Sequence, residues 1–242
     1  MTRITRTAAT AATLALLAVV PLSAAPPAPT PLRAPLELIY TLHYGGLSVG
    51  RVVKTLKRTT DGSYEYRSHS RPLGAAKMFT SVEWFEEGQF EIVQGQVRPI
   101  SFLEYRVGAD KPHRHGARFD WKSQKINYSR GGSIALPPGT QDQGSHLYAF
   151  MLHPPVTGAE QALHVSTGKK LRVYRYVHAG NETLKTALGS LKTSVIEQRA
   201  TDPDSDGLRV WLATERGNLP VRITTHKRGQ ETTLELESVT ER

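Results

Sequence analysis

The chain has 242 residues, no cysteine and a formal net charge of +9. The lack of cysteine excludes disulfides, a thiol nucleophile and a thiolate zinc site, so stability must come from an apolar core. Lysine and arginine are scattered without a long basic run, which disfavours a nucleic-acid interface. The positive charge suits contact with anionic headgroups or acidic polymers, and it also promotes solubility.

Residues 1–25 have the layout of a secretory signal peptide. Arg3 and Arg6 precede an apolar run, and the small residues Ser23–Ala25 precede the expected cleavage point after Ala25. The run has about 13 residues, short of the roughly 20 that span a membrane, although an uncleaved anchor is the alternative. We therefore expect an exported, periplasmic protein without a membrane span after cleavage.

Residues 26–35 form a proline-rich segment, PPAPTPLRAP, which is typical of an extended, disordered linker. Residues 36–242 then have the length of a single β domain. From residue 36 onward apolar and polar residues alternate, starting with LELIYTLHY, and turn dipeptides such as Gly45–Gly46 separate the alternating segments. This pattern predicts about 11–13 strands in a sheet that curls or closes.

The expected fold is mainly β, a curved antiparallel sheet forming a half-barrel or open barrel with one short helix across it. Such a sheet has one buried face, and its interior should be aromatic. The candidate ligand-binding residues of that interior are Tyr40, Trp84, Phe102, Phe119, Trp121 and Trp211.

The segment LPPGTQDQGSHLYAFMLHPP, residues 136–155, predicts the helix. Asp142 is placed to cap it by accepting hydrogen bonds from the main-chain N–H of Gly144 or Ser145. Apolar residues at one helical face follow, namely Leu147, Phe150 and Met151. The Asp, Ser and His of this segment do not predict a triad, because adjacent helical residues point about 100° apart. No catalytic residue is assigned.

Two segments hold possible metal ligands. Asp202, Asp204 and Asp206 match the first positions of a calcium loop, but the twelfth position holds Ala213, which favours an acidic turn instead. His113 and His115 share one face of a strand, and the sequence names no third ligand beside them. We expect no cofactor, and the three aspartates are the candidate metal residues.

The ordered set of segments is similar to that of a bacterial family of exported proteins. YTLHYGGLSVGRV, YEYRSHSRPLGAAKMF, GQVRPISFLEYR, ARFDWKSQKINYSRGG, LPPGTQDQGSHLYAF and VWLATERGNLPVRI resemble the domain of unknown function three-one-zero-eight, over about Leu36 to Val239. The resemblance implies no assigned activity. The architecture also resembles the periplasmic lipoprotein carriers, whose curved sheet wraps acyl chains under helical cover.

These observations predict a non-enzymatic envelope protein that binds an apolar or amphipathic ligand, such as a lipid or a lipid-linked glycan. Basic rim residues available to an anionic headgroup are Lys77, Arg98 and Arg106. One alternative is an enzyme acting on envelope glycan, with Asp120 and Asp142 as its carboxylates. The other is a scaffold that presents a sheet edge to an envelope partner.

Overall fold

The computed structural model describes residues 32–199, 207–227 and 229–241. These residues form one 15-stranded sheet with the strand order β8-β7-β6-β5-β4-β3-β2-β1-β15-β14-β13-β12-β11-β10-β9. The first-half strands are β1 (Leu36–Tyr44), β2 (Leu47–Arg58), β3 (Tyr64–Pro72), β4 (Glu83–Val93), β5 (Gln96–Val107), β6 (Arg114–Asp120), β7 (Lys125–Tyr128) and β8 (Ser133–Ala135).

A helix, α1, separates β9 from β10, and two 3₁₀ turns at Gly74–Met78 and Thr214–Arg216 complete the described elements. The bounds of the remaining elements are β9 (Gln141–Asp142), α1 (Ser145–Leu152), β10 (Glu160–Ser166), β11 (Leu171–Thr186), β12 (Gly189–Gln198), β13 (Gly207–Ala213), β14 (Leu219–Lys227) and β15 (Gln230–Glu241).

The strands form where the sequence alternates. In β3, Tyr64, Tyr66 and Ser68 are buried while Glu65 and Arg67 between them are exposed. The first strand pairs with the last, since β1 lies between β2 and β15 in the middle of the sheet. Neighbouring strands are antiparallel except for β9, which runs parallel to β10. The predicted mainly β fold with a curved antiparallel sheet is confirmed.

The sheet curls until its far edge reaches its own first half. The Gln141 side chain of β9 donates a hydrogen bond of 2.7 Å from Nε2 to the Val97 carbonyl of β5. The strand order nevertheless ends at β8 and β9, so the sheet is open rather than a closed barrel. This curvature creates an interior lined by the inward-facing residues of β1–β7 and β9–β15.

Helix α1 plugs one end of that interior. At its C-terminal end His153 Nε2 lies 2.9 Å from the Gly95 carbonyl in the β4–β5 turn. Nearby, Asn218 Nδ2 of the β13–β14 turn donates a 3.0 Å hydrogen bond to the Met151 carbonyl. We call this the plugged end, and the end that carries the β1–β2, β3–β4, β5–β6 and β14–β15 connections the mouth.

The helix is buried all round, which corrects the prediction of a single apolar face. Leu147 and Phe150 pack with the β10–β14 half of the sheet, in a cluster that includes Val210 and Ile196. Met151 belongs instead to the cluster built mainly on β1–β7. The helix therefore joins the two halves of the core, as expected for an element with apolar residues on every side.

The structure holds more strands than predicted, 15 rather than 11–13. Short strands such as β8 and β9, with three and two residues, lack a readable alternation. The packed domain also begins before β1. Leu32, in the segment predicted to be a linker, is buried against the core, and Arg33 pairs with Glu241 at 2.8 Å.

Candidate binding groove

A groove of about 280 Å³ opens at the mouth of the curved sheet. Its walls come from β14, β15 and β1–β4, six strands that are consecutive in the sheet. Apolar and hydroxyl side chains predominate, with one lysine and one glutamate among them. The residues that define the groove are Leu42, Val52, Lys54, Ser68, Ser70, Trp84, Glu86, Ile223, Thr225, Thr232 and Leu234.

Lys54 and Glu86 lie on one row across the strands, because Lys54 pairs with Ser68 and Ser68 with Glu86. The Lys54 ammonium donates a 3.2 Å hydrogen bond to Ser68 Oγ. Burial lowers the pKa of Lys54, and the Glu86 carboxylate partly offsets that effect. The site therefore holds a cation in poorly solvated surroundings.

Glu86 is the complementary charge in the groove. Burial raises the pKa of its carboxyl group, Lys54 opposes the change, and the carboxylates of Glu104 and Asp142 add to it. Glu86 thus interacts with one lysine and two further acids in a region of reduced solvation, where Coulomb interactions are stronger than in water. A polar ligand group that accepted from Lys54 or donated to Glu86 would relieve part of this cost.

Asp142 lies deeper, between the groove and the plug, and is fully buried. Its Oδ1 accepts the predicted hydrogen bonds from the main-chain N–H of Gly144 and of Ser145, both at 2.8 Å, and a further bond from the Tyr66 hydroxyl. The predicted cap position was wrong, because the helix begins at Ser145 and Gly144 occupies its N-cap position. Asp142 Oδ2 has no hydrogen-bond partner. Burial raises the pKa of this carboxyl group, while those hydrogen bonds act in the opposite direction.

His146 follows in the first turn of α1. Its Nδ1 lies 3.3 Å from the main-chain carbonyl of Asp142, and its Nε2 has no hydrogen-bond partner. Burial lowers the pKa of the ring to about 4. The Ser145 hydroxyl donates to Gln141 Oε1 at 2.9 Å, so the Asp, Ser and His of this segment make the contacts of a helix start. In a Ser-His-Asp triad the serine hydroxyl donates to the histidine ring, whereas the Ser145 hydroxyl donates to Gln141.

At the mouth, Trp84 is covered by the Arg106 guanidinium, 3.6 Å from the ring centre. His113 packs edge-on against the same indole at 5.4 Å and bonds to Glu104. His115 lies 4.4 Å from His113 between ring centres and is buried, with neither ring nitrogen paired. An aromatic rim that carries the Arg106 guanidinium therefore borders the groove on the β4–β6 side.

Residues 39–236 match the family model described as protein of unknown function, DUF3108. The chain belongs to the DUF3108 family. A comparison with curated proteins finds no match.

Among solved structures, this DUF3108 chain is similar to a beta-barrel-like protein of the domain of unknown function DUF1849 from Brucella abortus. The TM-score is 0.57 at 12% identity, covering 86% of this chain and 98% of that one. At this identity the likeness concerns the fold alone. It agrees with the curved, barrel-like sheet described above.

The six aromatic residues predicted to bind a ligand occupy different places in this DUF3108 fold. Trp84 alone lines the groove. Tyr40, Phe102 and Phe119 are packed inside the core, and the Tyr40 hydroxyl donates to the Pro220 carbonyl at 2.7 Å. Of the six, Trp84 is the residue that lines this groove, and ligand binding by all six stays a prediction.

The two remaining tryptophans lie elsewhere. Trp121 donates to the Pro99 carbonyl at 2.7 Å under the guanidinium of Arg98, near the plugged end. Trp211 alternates with Val210 and Leu212, whose side chains meet the helix, so it points to the outer face of the sheet. There Arg222 stacks 5.5 Å from its ring centre.

The predicted metal ligands Asp202, Asp204 and Asp206 lie outside the described residues. Within the part of the chain that is described, no group of three or more histidine, aspartate or glutamate side chains is placed to hold a metal ion. None of the helices described there is long and apolar enough to cross a bilayer.

The residues that sequence reasoning missed are the charged ones of the interior. Lys54 and Glu86 occupy the inward-facing positions of β2 and β4, next to Val52 and Trp84 in the same alternation. The signal in the sequence was a charged residue at a position where the alternation of the strand places apolar side chains.

Proposed function

We propose that this protein is an exported envelope protein that binds an amphipathic ligand, a lipid or lipid-linked glycan, in the groove. The observation that supports this most is the pairing of apolar walls with Lys54 and Glu86, held at reduced solvation where a polar headgroup would reach them. Binding sites of this kind combine an apolar lining with a few convergent polar groups.

The arrangement favours a polar group seated inward. The Glu86 carboxylate interacts with Asp142 and Tyr148 beside the plug, whereas Trp84 and Leu42 lie within a few residues of the mouth. The volume of 280 Å³ is slightly below the range of about 300–1,000 Å³ for small-molecule sites. The groove therefore suits one headgroup with a short chain segment, the rest of a larger lipid extending through the mouth.

A glycan-cleaving activity finds less support in the carboxylates suggested for it. Asp142 is engaged by Tyr66, Gly144 and Ser145. Asp120 accepts from the main-chain N–H of Lys122 and Ser123 at 3.0 and 2.9 Å in the exposed β6–β7 turn. Both carboxylates serve local backbone structure, which leaves binding as the function we propose.

The test is titration with a dansyl-labelled fatty acid, followed by its fluorescence and by that of tryptophan. Ser70→Trp fills the groove, whereas Arg71→Trp places the same bulk on the outer face of the same strand. We expect Ser70→Trp to weaken binding by about tenfold or more, and Arg71→Trp to change it less than about twofold. Lys54→Met should also weaken binding of the carboxylate probe.

Equal affinities in the two tryptophan variants would refute the groove as the binding site. Native mass spectrometry on protein taken from its own envelope supplies an independent measurement. A bound mass that is lost in Ser70→Trp and kept in Arg71→Trp would support the proposal. A ligand-free mass in every form would count against it.

A further inference from the structure

The mouth of the groove carries an exposed apolar surface. Of the eight large apolar side chains that are exposed among the described residues, five lie on its connections. Met78 and Phe79 protrude most, with 84% and 85% of their surface exposed. We define this mouth patch as Tyr44, Leu47, Met78, Phe79 and Val107.

The topology places the patch around the groove. The β1–β2 turn follows Leu42 by three residues, and the β3–β4 connection follows Ser70 at the same end, because paired antiparallel strands share their turns. Val107 ends β5 one residue beyond Arg106, which pairs with Trp84. A flat partner covering this patch would also face the groove opening.

Met78 and Phe79 are held in a defined turn. Leu73 donates a 2.9 Å main-chain hydrogen bond to Val49 of β2, fixing the start of the 3₁₀ turn. The N–H groups of Phe79 and Thr80 both bond to the Ala76 carbonyl at 3.1 Å. Two large apolar side chains are thus displayed together by an ordered backbone, an arrangement that marks interaction surfaces.

The charge around the patch is positive. Lys77 lies in the turn itself, Lys111 in the β5–β6 connection and Lys227 at the end of β14. The acidic residues at this end are Asp110, beside Lys111, and Glu83 and Glu231, which bond to His69 at 2.6 Å and to His226 at 2.9 Å. The exposed Arg71, near the end of β3, and Arg114, at the start of β6, keep the balance of charge at this end positive. Protruding apolar side chains among lysines are the features of a surface that binds an anionic membrane interface.

We propose that the mouth docks onto an anionic lipid bilayer, with Met78 and Phe79 inserted among the headgroups and the lysines beside the anionic phosphates. This inference does not depend on what the groove binds. Docking in this orientation would place the groove opening against the lipid surface.

The test is co-sedimentation with vesicles of phosphatidylcholine alone or mixed with phosphatidylglycerol. The full chain is expressed and purified from the soluble fraction, so that every variant has the same N-terminus. We expect binding to the mixed vesicles, and a fall of about tenfold or more in partitioning for the double variant Met78→Ser, Phe79→Ser. Lys77→Glu should weaken binding to the mixed vesicles only, as should added salt.

The matched control is Val156→Ser, which removes an apolar side chain with 68% of its surface exposed, on the connection that leaves α1 near the plugged end. It should bind vesicles within about twofold of the wild type. Ser70→Trp should also bind them normally, which separates docking from groove binding. Unchanged partitioning of the double variant, or an equal loss in Val156→Ser, would overturn the proposal. Self-association of the protein through Met78 and Phe79, without binding to vesicles, would overturn it as well.

Discussion

The Tyr66 hydroxyl on β3 donates a hydrogen bond to the Asp142 carboxylate on β9, the strand at the far edge of the sheet. The two residues are 76 positions apart in sequence. Together with the Gln141–Val97 contact, this bond holds the curled edge against the first half of the sheet. The same carboxylate fixes the start of α1, so one buried group links the curl of the sheet to the plug.

We expect Tyr66→Phe to destabilise the fold by about 1–3 kcal/mol, because it removes a donor from a buried carboxylate. Chemical denaturation followed by far-UV circular dichroism measures the change. Tyr44→Phe, the same substitution at an exposed side chain, should alter the free energy of unfolding by less than about 0.5 kcal/mol. Similar effects of the two substitutions would show that the Tyr66 bond contributes little.

Two glycines pack closely against the Tyr66 ring. A Cβ added at Gly88 of β4 would lie 2.4 Å from Cζ of the ring, and one added at Gly144 would lie 2.2 Å from its Cε2. We expect Gly88→Ala to lower the free energy of unfolding by at least about 1–3 kcal/mol through overpacking. The same denaturation experiment measures this change.

The control for this overpacking is Gly207→Ala. Within the described part of the chain, a Cβ there meets the His226 Cβ alone, at an ordinary 3.7 Å, and the substitution should change the free energy of unfolding by less than about 0.5 kcal/mol. A Gly88→Ala protein as stable as the wild type would show that the ring can move aside.

Acid should destabilise the fold through His146. The folded ring stays neutral down to its pKa of about 4, whereas its ordinary value is 6.5. The unfolded state therefore binds more protons between these values, and this stabilisation is complete above pH 6.5 and lost as the pH falls towards 4. The integrated contribution is at most about 3 kcal/mol.

Denaturation at several pH values in wild type and His146→Gln measures that contribution. The raised pKa values of Glu86 and Asp142 give the opposite slope, a stabilisation lost with rising pH, in both proteins. The stability that wild type has over His146→Gln, measured as a difference in the free energy of unfolding, should therefore decrease as the pH falls. If the free energies of unfolding of wild type and His146→Gln changed in parallel with pH, that result would contradict the buried neutral ring.

Lys54 should titrate below the other lysines, since burial lowers its pKa more than Glu86 raises it. Nuclear magnetic resonance of reductively methylated protein with isotope-labelled methyl groups follows each ammonium separately. We expect one resonance with a shifted midpoint that is missing from Lys54→Met. Exposed Lys192→Met, which removes an ion pair with Glu215, should leave that resonance in place. Titration of all lysines at one midpoint would be inconsistent with the groove described.

Much of the fold was predictable because alternation is a local property. The alternation that begins at LELIYTLHY and the turn at Gly45–Gly46 identified β1 and β2. The predicted hydrogen bonds of Asp142 are present, although the helix begins two residues later than an Asp142 cap implies. Strands of two or three residues were missed because they carry too few positions to show a period. The prediction of a single apolar helix face was also wrong, since Leu147 and Met151 pack in different halves of the core.

The site was less predictable, because a ligand groove is a relation between distant strands. Sequence selected aromatic residues by type, and only Trp84 of the six faces the groove. Tyr40 and Trp211 are both buried, and residue type could not distinguish their positions. Tyr40 lies inside the curved sheet, whereas Trp211 lies under arginines on its outer face. The bulge between Trp211 and Leu212 is one of the irregularities that obscure which face a residue occupies.

The sequence alone determined that the chain makes an antiparallel sheet with one wet face, since a period of two is set by each strand's own residues. Only the tertiary structure decided how far that sheet curls and what its interior contains. Curvature brings β9 to β5, seats α1 across one end and leaves Lys54 and Glu86 in a poorly solvated groove at the other. Those charges acquire their shifted pKa values from burial, which exists only once distant strands have packed together.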